Sequence, residues 1–204
     1  MSPTTPVLMP QPLTARHPLS GSRKTKVKLR NRIRNELADL FERRVISADR
    51  ILSSFTGKVV TPNPRRIAIF AHYNCCGQVS EMVLKQLELL RDEGFETLLV
   101  SMSPIDDPAH RSALEPLVRL VSVRKSFGRD FGAWYDIARL NETLVQGAEE
   151  VLLINDSMLG PFLPLGPIFE GMRARGDGLF GLTDSPDKRP HLQSYFLLFR
   201  GRAA

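Results

Sequence analysis

Three clusters in this 204-residue chain have residue types and spacing suited to a phosphorylated ligand. The first is Asn155-Asp156-Ser157, a carboxylate between two oxygen-bearing side chains, directly after the apolar run 151–154. A hard divalent cation, magnesium or manganese, would take Asp156 together with diphosphate oxygens of a substrate. The same residues read equally well as an Asx-type turn before Gly160-Pro161, with Asp156 and Ser157 accepting from backbone N–H groups. The second cluster, residues 124–132 (RKSFGRDFG), holds the cations Arg124, Lys125 and Arg129. Gly128 and Gly132 let its backbone turn tightly or approach a ligand. Cations and glycine-freed amides suit a phosphate, and Asp130 suits a ribose or sugar hydroxyl. A solvated loop with local ion pairs is the competing reading, because the spacing matches neither the P-loop nor the dinucleotide fingerprint. The third cluster is His72-Tyr73, which ends the apolar run 66–71. Tyr73 offers a face for a nucleobase, or packs in the core; a lone His is more often structural than catalytic.

Other reactive residues carry less. Cys75-Cys76 fit no disulfide framework or metal spacing and read as buried thiols or bystanders. No G-x-S-x-G elbow supports a hydrolase. His191, Gln193, Ser194 and Tyr195 sit at the last apolar run and read either as part of the same face or as edge-strand surface.

The elements that must hold these clusters follow from hydrophobic spacing. Residues 66–71 and 95–101 read as buried strands, and Val79, Met82, Val83, Leu87 and Leu90 outline a helix between them, closed by Gly94. Strand, helix and strand at short spacing signal a right-handed crossover in a parallel sheet. A short helix over 109–114, a strand over 117–123, a helix over 133–145 and a strand over 151–154 continue the pattern. A helix beginning at Ile168 and strands over 179–182 and 192–199 complete it. In such sheets ligands bind beyond the carboxyl ends of the strands, where all three clusters fall.

Charge divides the chain. Residues 1–66 carry 14 Lys/Arg against 4 Asp/Glu, and the remainder carries 14 against 18. Residues 1–22 are rich in Pro, Ser and Thr and are expected to be disordered. Leu29, Ile33, Leu37, Leu40, Phe41 and Val45 then predict a basic amphipathic helix over 26–52, within an extension covering 23–60. Packing on the body of the protein competes with contact to an anionic membrane as its role. No aromatic or base-reading pattern accompanies the charges, so no nucleic-acid partner is expected. No apolar run approaches the ~18 residues of a spanning helix, and no secretory signal is visible. A cytoplasmic location, peripheral at the inner face of the membrane, is the expectation.

The segments IAIFAHYN, RKSFGRDFGAW, VLLINDSMLGPFLPL, LFGLTDS and HLQSYFLLF, in this order over residues 66–200, resemble the rhamnan synthesis protein F family. The resemblance implies a glycosyltransferase-like domain of the GT-A type over 65–204: a mostly parallel, Rossmann-like sheet flanked by helices. It implies transfer of a deoxyhexose such as rhamnose from a nucleotide-diphospho-sugar, dTDP-rhamnose-like, to a glycan acceptor of a cell-surface polysaccharide. A non-catalytic sugar-nucleotide-binding or assembly module is the alternative. By this resemblance His72 and Tyr73 would line the nucleotide pocket. Arg124, Gly128, Arg129 and Asp130 would contact the diphosphate or sugar. Asn155 and Asp156 would occupy the acidic metal position, with Asp156 the ligand of Mg2+ or Mn2+. That position holds one carboxylate where a D-x-D pattern has two, so Arg124 or Arg129 would share the charge neutralisation. Only 43 residues follow Pro161, so the acceptor half is expected to be thin.

Overall fold

The structure, a computed structural model, describes residues 47–186 and 190–201. A seven-stranded mixed sheet organises them in the order β1-β4-β3-β2-β5-β9-β6. Its four central strands are parallel: β2 (Arg66–His72), β3 (Glu96–Ser101), β4 (Leu120–Arg124) and β5 (Glu150–Asn155). Three outer strands run antiparallel to their neighbours: β1 (Ile51–Thr56), β6 (Gly178–Gly181) and β9 (Phe196–Arg200). A separate two-stranded ribbon joins β7 (Asp184–Ser185) to β8 (His191–Leu192).

The central strands are apolar on both faces because helices cover both, as parallel sheets require. Alternation along β2 divides the core. Ile67, Ile69 and Ala71 join Leu98, Val100, Ala133, Trp134 and Ile137 on one side. Ala68 and Phe70 join Val83, Leu87, Leu90, Leu99, Leu152, Phe169 and Phe196 on the other. The helices supplying these residues are α1 (Glu81–Asp92), α3 (Arg129–Leu140) and α5 (Gly166–Arg173); α2 (Pro108–Leu114) adds Leu114, and the short α4 (Glu142–Gly147) follows α3.

Local signals explain the boundaries of α1. Ser80 caps its start by accepting from the Val83 N–H. At its end Phe95 N donates to Leu90 O and Gly94 N to Arg91 O, with Gly94 at φ +80°. This is the paired bonding of a Schellman ending, which favours glycine.

Two expectations change. Residues up to 46 of the helix expected over 26–52 lie outside the described residues, as do its membrane contact and the disorder expected for 1–22. Ser47–Arg50 form a 3-10 turn, and Ile51–Thr56 form a strand rather than the end of a helix. β1 pairs with β4 and covers what would otherwise be an open edge. A register shift between Ile51 and Ser53 turns Ile51 toward one core and Phe55 toward the other, which a bulge allows and a regular strand does not. The strand expected over 192–199 is interrupted, since β8 ends at Leu192 and β9 begins at Phe196.

Candidate functional site

From β2 the sheet runs to β3 and β4 on one side and to β5 on the other. The carboxyl ends of β2 and β5 therefore flank the point where the winding direction reverses, the usual ligand position in open α/β sheets. A cleft of ≈ 570 Å³ opens there, lined by His72, Tyr73, Arg129, Asp130, Asp156 and Ser157 among others. Three separate elements (the end of β2, the end of β5 and the first turn of α3) bring these side chains together.

Asp156 ties two of them. Its Oδ2 accepts from the Tyr73 N–H at 2.9 Å and lies 3.9 Å from His72 Nε2. Burial raises the Asp156 carboxyl above its ordinary value of 3.8, and the negative charge of Asp130 adds to this. Hydrogen bonds and His72 act the other way without reversing it. A cation brought beside Asp156 would offset that cost of burial.

Asp130 is aimed by its neighbour. Asn155 Nδ2 donates to Asp130 Oδ2 at 2.7 Å, while Asn155 Oδ1 accepts from Ser157 N at 3.1 Å. Asn155 itself is buried and acts by orienting the carboxylate. The turn reading of Asn155-Asp156-Ser157 is thus realised at Asn155, and it leaves Asp156 on the cleft wall.

His72 is 1% exposed. Ser101 Oγ lies 2.6 Å from Ser103 O and 2.9 Å from His72 Nδ1, and its one proton can serve either acceptor. The remaining nitrogen, Nε2, faces Gln78 O at 3.2 Å. Burial lowers the His72 pKa below 6.5 despite the opposing pull of Asp156. The neutral ring keeps its proton on Nε2, where Gln78 O accepts it, and Nδ1 accepts from Ser101 Oγ.

The first turn of α3 is shaped by glycine. Gly128 stands at φ +72° and precedes the helix without a side-chain cap. A Cβ at Gly132 would lie 2.4 Å from Phe127 O, so only glycine lets the loop fold this closely over the turn. Arg129 follows at φ +52°, a conformation that costs a non-glycine residue free energy. Residues 129–132, read from sequence as loop, belong to the helix. The Arg129 side chain is exposed at the cleft. Uncapped N–H groups and a nearby guanidinium together suit an anion.

Arg124 is corrected. It is 1% exposed, its guanidinium bonded to Asp136 Oδ2 at 2.7 Å and to Phe127 O at 2.9 Å. It lies beneath the loop and does not line the cleft, because β4 ends inward there. Asp136 also accepts from Arg50 at 2.9 Å. This buried Asp136, between two arginines, ties β4, α3 and the turn before β1 together, and the sequence reading missed it. Its signal was an Asp on the apolar face of α3, three residues after Ala133 and one before Ile137. Trp134 Nε1 adds a bond from α3 to Ile154 O at 3.1 Å, setting the helix against β5. Tyr195 packs against the core, its carbonyl accepting from Asn155 N at 3.3 Å and its hydroxyl 2.7 Å from Thr183 Oγ1.

As to a metal, Asp156 and Asp130 offer two carboxylates, and no cluster of three or more His, Cys, Asp or Glu side chains suited to a metal occurs among the described residues. The charge of Asp130 is felt at the Asp156 carboxyl, so the two would hold an ion only with its shell completed by ligand oxygens. Among the described residues, no helix is long and apolar enough to cross a membrane.

The model of one protein family, described as rhamnan synthesis protein F, matches residues 97–203, more than half of the chain. The match takes in the first turn of α3, Asn155 and Asp156; His72 and Tyr73 precede it and join the site by geometry alone. A search of curated proteins found no match. With its glycine-shaped helix start and its Asn155-Asp156 strand end inside the matched region, the chain belongs to the rhamnan synthesis protein F family, and so to rhamnan synthesis.

Proposed function

We propose that the chain is a GT-A-type glycosyltransferase domain that transfers a deoxyhexose, rhamnose by its family, from a nucleotide-diphospho-sugar to a growing polysaccharide. The observation that carries this reading is the cleft at the winding reversal, lined by Arg129 and Asp130 from the start of α3 and by Asp156 beyond the end of β5. A diphosphate needs positive charge, which Arg129 and the amide end of α3 supply. A sugar or ribose hydroxyl needs a fixed acceptor, which Asp130 becomes once Asn155 holds it. The exposed ring of Tyr73 gives a base a surface on which to stack.

Transfer displaces the diphosphate from the anomeric carbon, so stabilising the leaving charge and orienting the acceptor hydroxyl are the main tasks. Asp156, with Asp130, would hold Mg2+ or Mn2+, which neutralises diphosphate charge when bound. Arg129 shares that neutralisation. His72 braces the wall behind Asp156, and its neutral form leaves the Asp156 charge available to a cation.

The test is a thermal-shift and calorimetric screen against dTDP-, UDP- and GDP-sugars, with and without manganese. A true donor at about 100 times its Kd stabilises the fold by about 2.7 kcal/mol. No stabilisation by any of them would refute the reading. Donor binding without transfer to any polysaccharide acceptor would instead favour a non-catalytic assembly module. We place the reaction at the cytoplasmic face of a membrane, with the part of the basic segment 23–52 that precedes Ser47 meeting anionic lipid. Co-sedimentation with anionic but not zwitterionic vesicles, lost on deleting residues 1–46, is the expected result.

A further inference from the structure

The turn after β2 carries a feature that the donor site does not use. Cys75 and Cys76, expected as buried thiols or bystanders, are both exposed, with their sulfurs 3.6 Å apart. The turn that presents them is firmly built. Gly77 N donates to Asn74 O at 3.0 Å, with Gly77 at φ +67°. Asn74 Oδ1 accepts from Cys76 N at 2.8 Å and Gln78 N at 3.3 Å, and Asn74 N donates to Ser103 Oγ at 2.9 Å. The Cys75 side chain beside it, through their mutual hydrogen bond, raises the Cys76 thiol above 9.0. Asn74 lines the cleft, and Gln78 O is the group that faces His72 Nε2. A change in this turn therefore reaches the wall of the site.

We propose that Cys75 and Cys76 form a vicinal dithiol site at the rim of the cleft, which closes to a disulfide by exchange with a small-molecule disulfide and, when reduced, takes a ligand that bridges two thiols. The sulfurs need to approach from 3.6 Å to a bond of about 2.05 Å. Neighbouring Cα atoms are only about 3.8 Å apart across a trans peptide, below the ~4.4–6.8 Å usual for disulfides. The bond is accordingly strained and readily reduced, the property of a reversible rather than a structural disulfide.

With oxidised glutathione as partner, one cysteine thiolate attacks its disulfide and expels a glutathione thiolate. The second cysteine thiolate attacks the protein sulfur of the mixed disulfide and expels the other glutathione. The two protons of the cysteines end on two glutathione thiols. The protein pair loses two electrons, and the glutathione disulfide gains them. Closing the ring reorients the Cys75–Cys76 peptide and so displaces the Cys76 N–H from Asn74 Oδ1, loosening the turn up to Gln78.

The full chain, equilibrated over a series of ratios of reduced to oxidised glutathione, should give an intramolecular disulfide detected as the loss of two hydrogens from one peptide. Excess reduced glutathione should restore the thiols. Phenylarsine oxide should bind the reduced chain at one per molecule and block alkylation of both cysteines. Cys76→Ser should instead hold one stable glutathione at Cys75 and fail to retain the arsenical. Hydrogen exchange at Cys76, Gly77 and Gln78 should quicken several-fold in the oxidised chain. Two glutathiones per chain, or only disulfide-linked dimers, would overturn the dithiol site. Unchanged exchange in those three amides would overturn its link to the cleft. None of these readouts uses a nucleotide-sugar, so the dithiol site and the donor site stand or fall separately.

Discussion

The two ends of the parallel strands both open onto a cavity and both concentrate charge, yet they use it differently. At the amino end the cavity measures ≈ 430 Å³ and is lined by Arg65, Arg66, Arg91 and Glu96 among others. Those charges are spent on one another. Glu150, 4% exposed, accepts from Arg173 at 2.9 Å and Arg200 at 3.0 Å, with Arg66 at 3.3 Å. Glu96 takes Arg119 at 2.6 Å as well as the N–H and hydroxyl of Thr61. At the carboxyl end Asp130 and Asp156 face the cleft, and among the described residues no guanidinium bonds either of them and Arg129 forms no ion pair. Cavity size does not separate the two ends. Charge satisfaction does: the amino end is closed chemistry that holds strands together, and the carboxyl end is open to a ligand.

Breaking the amino end should have the largest effect. Glu150→Ala leaves three arginines facing one another in a partly buried setting and should cost about 3–5 kcal/mol of stability, read by urea denaturation, with nucleotide-sugar affinity retained in the folded fraction. The pH dependence has a definite sign. Burial works to raise the Glu150 pKa, but the Arg173 hydrogen bond and the charges of Arg173, Arg66 and Arg200 hold it below 4.5. Its stabilisation is complete above the unfolded value and is lost as pH falls through the lower folded value. Glu150→Gln should flatten that part of the acid unfolding curve.

At the carboxyl end stability and binding should part company. Arg129→Gly removes the cation and the cost of its positive φ, so diphosphate affinity should drop about 10-fold while stability rises by about 1 kcal/mol. A fall in both would make Arg129 a structural residue and erase the contrast between the ends.

Asp156→Asn should abolish any manganese dependence of nucleotide-sugar binding without lowering the melting temperature. Because the Asp156 carboxyl titrates above 3.8, cation affinity of the native chain should rise as pH rises through that raised value, and the variant should lose this dependence. The smallest effect belongs to Arg65→Ala. Its bond to Glu149 at 2.6 Å is fully exposed, and no measurable change in melting temperature is expected.

Much of this arrangement was legible in the chain. The apolar runs ending at His72 and Asn155 could only be buried strands, because their length and lack of polar interruption suit two covered faces. Gly94 marked the end of α1 because a left-handed residue is needed there. The ordered segments carried the family resemblance, and His72, Tyr73, Arg129, Asp130 and Asp156 do share one cleft. Arg124 was misplaced because a cation near a strand end looks the same whether it faces the ligand or the core. Only Asp136, twelve residues later and invisible to motif spacing, shows which.

Residues 51–56 make the same point. The helical reading of Ile51 and Leu52 came from continuing the apolar spacing of residues 29–45, and the edge of β4 decided otherwise. Cys75 and Cys76 were read as inert because adjacency fits no metal or disulfide pattern, whereas exposure and a shared turn depend on Asn74 reaching forward to two N–H groups.

By itself, then, the amino-acid sequence determined the alternating strands and helices between residues 66 and 155, the family, and the residue types at the strand ends. Those follow from local periodicity and from what glycine, proline and apolar side chains permit. Tertiary structure alone decided which charges are satisfied. Whether an arginine meets a carboxylate depends on strand order and on which way a side chain leaves a strand end. Both are set by packing between residues far apart in the chain, such as Arg50 and Asp136 or Arg66 and Glu150.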